Sequence, residues 1–168
     1  ADGIRQEIPL SRSLDDPLFG GRIASVTSDL AYHVRFDDRR SQEYRVRVFD
    51  YPQLLQADAT IAAPAYTGLE VKQIEDVRRV SVIEGSQLTL TCTLNKPVAS
   101  ARLFDEVGDD LTLAAGAASP NVVAVTWTPQ AKRTLTLELI DEAGRQNRHP
   151  PEFIIDVIPN RPADLKIA

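Results

Sequence analysis

The chain has 168 residues and a formal net charge of -5, which leaves room for one large or two small domains. Its acidic balance excludes a general nucleic-acid binder, which carries a basic face, and an electrostatically held membrane anchor. No apolar run approaches the about 20 residues that a membrane helix needs, and the single cysteine, Cys92, excludes an internal disulfide.

Taken in order, the chain reads as short strands joined by turns. Ile4, Ile8 and Leu10 share one parity, which predicts a strand over residues 5–10, with a loop over 11–17. A short strand over 19–26 is broken by Gly20-Gly21. Leu30, Tyr32, Val34 and Phe36 alternate with Ala31, His33 and Arg35, the period of a half-buried strand, so His33 is expected to point outward. Residues 37–41 form a polar hairpin turn, and Tyr44, Val46 and Val48 return with Arg45 and Arg47 on the other face. Tyr51-Pro52 ends that strand, because proline cannot donate to a ladder.

Further strands are predicted over 54–62, 77–83, 98–104, 111–115, 122–128, 134–140 and 153–158. Residues 64–69 are a turn or crossing segment, and 105–110 an acidic loop around Gly108. Residues 141–144 are a turn. No segment shows a sustained helical period; one helical turn near 130–133 is the most the pattern allows. The 11 Pro and 8 Gly are spread as punctuation, as many short strands require.

Two hairpins repeat one another. Residues 30–36, Asp37-Asp38 and 44–48 form the first; residues 135–140, Asp141-Glu142 and 153–158 form the second. Each follows a Val/Thr pair expected in a strand, Val26-Thr27 and Val125-Thr126. The boundary between tandem units falls near Tyr51-Pro52-Gln53. The second unit is long enough for about seven strands, the first for about four. Half a sandwich leaves an apolar face open, so that face is expected to be covered by the second unit, by another copy of the chain, or by further residues.

The stretch 82–94 organises the whole. Val82-Ile83 runs into Glu84-Gly85-Ser86, and then Leu88, Leu90, Cys92 and Leu94 alternate with Thr89, Thr91 and Thr93. This segment resembles the turn and second strand of immunoglobulin domains, with Cys92 at the position of their first disulfide cysteine. The expected partner strand over 134–140 holds no cysteine, and Trp127 lies outside the strand that follows Cys92. The closer resemblance is to bacterial immunoglobulin-like repeats of large uncharacterised exported or membrane-anchored proteins. Pro64-Ala65-Tyr66-Thr67-Gly68-Leu69 is similar to a segment preceding the turn in such repeats, and Asp141 with Gly144 to the end of their penultimate strand.

The resemblance and the patterning together give an expected fold class: all-β, an immunoglobulin-like β-sandwich with one complete domain preceded by a partial, similar unit. The units are 1–52 (partial), 53–160 (complete) and 161–168 (tail or linker). A chain without Met reads as a fragment or a processed protein.

No catalytic constellation stands out. Cys92 lies on the Leu88–Leu90 face and reads as a core residue. His33 and His149 have no second ligand at metal spacing. Asp105, Glu106, Asp109 and Asp110 lack the alternating order of a calcium loop. Asp37-Asp38 and Asp141-Glu142 recur at equivalent turns, where Asp bonds its own backbone. There is no Gly-X-Ser-X-Gly elbow and no phosphate-binding glycine loop. Arg39-Arg40 and Arg78-Arg79 read as solubilising pairs. Tyr66, Phe104 and Trp127 could form a sugar platform, although Trp127 shares parity with Val123 and Val125 and core packing is favoured.

Hence no catalytic, cofactor-binding or metal residue and no cofactor is assigned, and the chain is expected not to be an enzyme. The expectation is a structural or interaction module, a spacer or docking surface within a larger exported, extracytoplasmic bacterial protein. Its partners are proteins, either neighbouring repeats or a second copy through the partial unit. Nucleic acid and direct membrane insertion are not expected. A carbohydrate- or ligand-binding domain, or an accessory domain of an enzyme, is the alternative.

Overall fold

The computed structural model describes residues 5–12, 17–108, 110–116 and 119–160. The chain divides into two compact units, Ala1–Asp50 and Tyr51–Ala168. The expected tail, 161–168, lies outside the described residues.

The second unit is a β-sandwich. One sheet contains Leu54–Ala62 (β7), Lys72–Ile74 (β8), Gln87–Leu94 (β10), Ala114–Gly116 (β13) and Ser119–Trp127 (β14), in the order β13-β14-β10-β7-β8. The other contains Arg79–Ile83 (β9), Ser100–Phe104 (β11), Asp110–Thr112 (β12), Arg133–Ile140 (β15) and Glu152–Ile158 (β16), in the order β12-β11-β15-β16-β9. Every ladder is antiparallel except β16–β9.

Alternation decides which side chains meet. In β10, Leu88, Leu90, Cys92 and Leu94 are buried and the threonines between them are half-buried. Ala57, Ala59 and Ile61 of β7 and Val123 of β14 lie in the same layer. Val80, Val82, Leu103, Leu135, Leu137, Leu139, Phe153 and Ile155 face them from the other sheet. Large sits beside small: Leu90 pairs with Ala59, and Cys92 lies between Ala57 and Val123, which lets the layers interdigitate at crystal-like density. On the opposite face the hydroxyls of Thr89 and Thr126 meet at 2.8 Å.

Both sides of the sandwich are closed by a segment that changes sheets. The predicted strand 111–115 is two strands, β12 in one sheet and β13 in the other. Leu113 lies between them, buried, with its N–H on Ala101 O at 2.9 Å. On the other side β8 leads into β9 across the gap. The turn at Glu84-Gly85 also crosses sheets: β9 and β10 do not pair with one another. Gly85 takes φ 83 there, a conformation costly for any residue with a Cβ.

Several local expectations need correction. β8 was not foreseen, because three residues with one half-buried side chain, Ile74, carry too little pattern. No helical turn forms at 130–133. A 3-10 turn forms instead at Ala65–Thr67, where Pro64 takes φ -57 and Gly68, at φ 65, donates to Ala65 O.

The first unit contains three separate two-stranded ladders. Ser11–Arg12 (β1) pairs with Phe19–Gly20 (β2), Leu30–Tyr32 (β3) with Tyr44–Val46 (β6), and Arg35–Phe36 (β4) with Arg39–Arg40 (β5). Residues 5–10 are not a strand; pairing starts at Ser11, inside the expected loop. Val26 and Thr27 are not in a strand either. The 37–41 turn is shorter than expected, since Arg39 and Arg40 pair and Asp37 takes φ 51, a conformation Asp tolerates. His33 is half-buried while Tyr32 is exposed, the reverse of the expected facing, because β3 stops at Tyr32 and the alternation breaks.

Leu90 is fully buried on β10, the central strand of its sheet. Leu90→Ala is expected to destabilise the second unit by about 2–5 kcal/mol, read as a lower urea midpoint with unchanged slope.

Candidate functional site

Within the second unit, the described residues weighed for chemistry do not gather into one place. Cys92 is fully buried in the sandwich core. Burial pushes its thiol up to about 12, with Arg78 acting weakly in the opposite sense. That is the environment of an inert thiol. His33 lies in the first unit and His149 is exposed in a loop of the second.

In the 105–110 loop, Asp105 and Asp110 engage different partners. Asp105 Oδ1 accepts from the N–H groups of Val107 and Gly108, both at 3.0 Å. Its Oδ2 lies 3.6 Å from Arg133, and Asp110 pairs with Arg102 at 3.2 Å. Asp109 lies outside the described residues. Among the described residues, no three His, Cys, Asp or Glu side chains group as a metal site would.

Of the three aromatics weighed as a platform, Tyr66 is exposed on the 3-10 turn and Trp127 is half-buried against the core. Phe104, in the other sheet, lies under the Arg102 guanidinium, 5.2 Å from the ring centroid. They sit on three elements.

The strongest electrostatic feature is a loop clasp. Asp141 is 2% exposed and its carboxylate is fully engaged. Lys96 Nζ lies at 2.7 Å and Arg145 Nε at 2.8 Å; the N–H groups of Ala143 and Arg145 donate to Oδ1 at 2.9 and 3.0 Å. The Lys96 hydrogen bond, aided by Arg145 and Ala143 and opposed by burial, holds the Asp141 carboxyl far below its ordinary range. The sequence marked Asp141 only as a turn residue; Lys96, 45 positions away, completes the clasp.

Two asparagines do similar work without charge. Asn147 Oδ1 accepts from Leu139 N–H and its Nδ2 donates to Leu137 O. Asn95 Oδ1 accepts from Gln53 N–H and its Nδ2 donates to Tyr51 O. Each extends a ladder where the backbone leaves it. On the sheet surface, Asp156 accepts from Arg79 at 2.7 Å and lies 3.2 Å from Lys132. These interactions set structure and give no reacting group.

The exposed apolar surface is concentrated in the first unit. No described residue there is buried. Tyr32 stacks on Tyr44 across the β3–β6 ladder at 5.2 Å and 25°. Val46 and Phe36 are also exposed, and Phe19 lies 6.5 Å from Phe36. Val34 N–H donates to Ser41 Oγ and Ser41 N–H to Val34 O, both at 2.9 Å, which carries the hairpin from one ladder to the next. Sequence alternation marks this strip, but not that the unit builds no interior.

Among the described residues no helix is long and apolar enough to cross a membrane. No family model matches the chain, and neither does any curated protein. Among solved structures, the crystal structure of CopC from Methylosinus trichosporium OB3b is similar. The identity is 13%, the match covers 51% of this chain and 90% of that chain, and the TM-score is 0.35. A likeness of that extent decides neither the ligand nor the role of this chain.

Two outcomes follow from the titratable groups. Cys92 has a raised pKa in the fold, so its contribution is intact below the ordinary thiol value and is lost as pH climbs toward about 12. A thiol reagent near neutral pH is therefore expected to leave the native protein unlabelled and to label it in urea. Asp141 is depressed, so its contribution is present above the ordinary carboxylate value and fades as pH drops through and below it. Asp141→Asn is expected to lower the urea midpoint at neutral pH and to flatten its decline in acid.

Proposed function

We propose that this chain is a non-catalytic structural or interaction module: an immunoglobulin-like β-sandwich repeat in a larger exported bacterial protein, acting as spacer and docking surface outside the cytoplasm. One observation carries the reading. The second unit encloses a buried apolar core, while the first unit has no buried described residue and exposes Tyr32, Phe36, Tyr44 and Val46 along one hairpin. A unit of that size without a core does not hold itself folded; its ladders require cover from a neighbouring repeat or a second copy. The engaged Asp141 carboxylate and the core thiol of Cys92 support a scaffolding role for the second unit.

The alternative, a carbohydrate-binding domain, needs exposed coplanar aromatics on one platform. Tyr66, Phe104 and Trp127 sit apart, which favours the docking reading.

Sedimentation of the full chain over a wide concentration range, with hydrogen exchange at residues 30–48, tests this. Concentration-dependent association, weakened at least about tenfold by Tyr32→Ser with Tyr44→Ser, is expected if a second copy covers the strip. A monomer with freely exchanging amides there assigns the cover to a neighbouring repeat. A monomer with strongly protected amides there overturns the reading.

A further inference from the structure

The second unit takes its chain in at one pole and lets it out at the other. β7 pairs with β10 from Leu54↔Leu94 to Ala62↔Gln87. β16 runs parallel to β9, from Ile154↔Arg79 to Ile158↔Ile83. Only residues 84–86 separate the end of β9 from the start of β10, so Ala62, Gln87, Ile83 and Ile158 share one pole. Leu54 and Leu94 lie at the other. Tension between residues 51 and 160 therefore pulls β7 and β16 lengthwise, in opposite directions, along partners held inside the sandwich. Ladder hydrogen bonds run across the strands. Under a lengthwise pull they bear the load together, whereas a pull from one end breaks them in turn.

Both poles are braced beyond the ends of these strands. At the entry, Asn95 N–H donates to Gln53 O at 3.1 Å, its Oδ1 accepts from Gln53 N–H at 2.8 Å, and its Nδ2 donates to Tyr51 O at 3.0 Å. Pro52 is fully buried, and the Arg148 guanidinium lies over the Tyr51 ring, 4.2 Å from its centroid. At the exit, Glu84 N–H donates to Ile158 O at 2.9 Å. Asn160 N–H donates to Glu84 Oε2 at 3.0 Å, and its Nδ2 to Tyr66 Oη at 3.1 Å. Asn95 and Glu84 thus hold the chain at the two points where a pull arrives first. Core burial is non-directional and resists a pull from any side; these braces and registers resist one direction.

We propose, resting on the spacer reading, that the second unit is a tension-bearing link. Force carried along the chain loads β7 and β16 in shear, and the Asn95 brace at the entry sets how long the unit holds.

Lifetimes of the full chain in optical tweezers at one constant tension, compared in two directions, test this. In the first direction the chain is held through its two termini, and the second unit is recognised by the length it releases, about 3.5 Å per residue. In the second, the handles are Gln130→Cys and the C-terminus, which peels β16 from its end. Gln130 is exposed in the loop between β14 and β15, at the exit pole. Cys92 is fully buried, so the thiol handle attaches at position 130 alone. The unit is expected to last at least about threefold longer between the termini than under peeling, forced unfolding being governed by the unfolding rate in each direction. Asn95→Ala is expected to shorten the lifetime between the termini about fivefold, as loss of one net hydrogen bond allows, and the peeling lifetime by less. A smaller ratio between the two directions overturns the proposal. So does an Asn95→Ala effect between the termini no larger than its effect on peeling. Neither outcome bears on association or on exchange at residues 30–48, so the docking reading is decided separately.

Discussion

Two sheets that alternate apolar and polar residues stay together only if their side openings are sealed. In the second unit the chain seals them by changing sheets at both sides. On one side Leu113 is the pivot: β12 hydrogen-bonds to β11, β13 to β14, and Leu113 is buried between them. On the other side the passage from β8 to β9 does the same, with Val77 buried in the crossing and its N–H on Ala57 O at 2.7 Å. Hydrophobic burial supplies the driving force, since each core leucine removes apolar surface worth about 1.5–3 kcal/mol from water. The edges also end up short, β8 and β12 having three residues each, which limits stray edge pairing.

The polar groups divide by depth. At the loop end, Asp141 is nearly inaccessible and charged, and Lys96 and Arg145 together with two backbone amides compensate its desolvation. Removing one partner of such a cluster costs more than the cluster contributes, because the remaining charge stays buried. On the sheet surface, Arg79–Asp156 and Arg102–Glu138 tie neighbouring strands together. Arg79 is exposed and Arg102 partly so, and both are screened by solvent, so these pairs count for little beyond register. Asn95 and Asn147 work where strands end, replacing backbone partners with amide side chains.

The same alternation has opposite outcomes in the two units. In β10 it buries four side chains, because a second sheet faces them. In β3 and β6 it produces a stacked tyrosine pair that remains exposed. Local pattern and cross-strand pairing are alike; the difference is a second layer.

Period-two patterning sufficed for β7, β10, β11, β14, β15 and β16, for the Glu84-Gly85 turn and for Cys92 as a core residue, because each depends on residues adjacent along the chain. Assignment of β9 and β10 to different sheets, the division of 111–115 at Leu113, and β8 were beyond it. Sheet membership is set by which distant strand supplies the hydrogen bonds, and a three-residue edge strand carries no period. The Lys96–Asp141 clasp joins positions far apart in the chain, so it exists only once the sheets have closed. The sequence by itself determined six strands of the second unit, the Glu84-Gly85 turn and Cys92 as a core residue. Tertiary structure alone decided which edges meet, which charges are buried, and that the first unit is left without a core, because those depend on long-range pairing that no local pattern encodes.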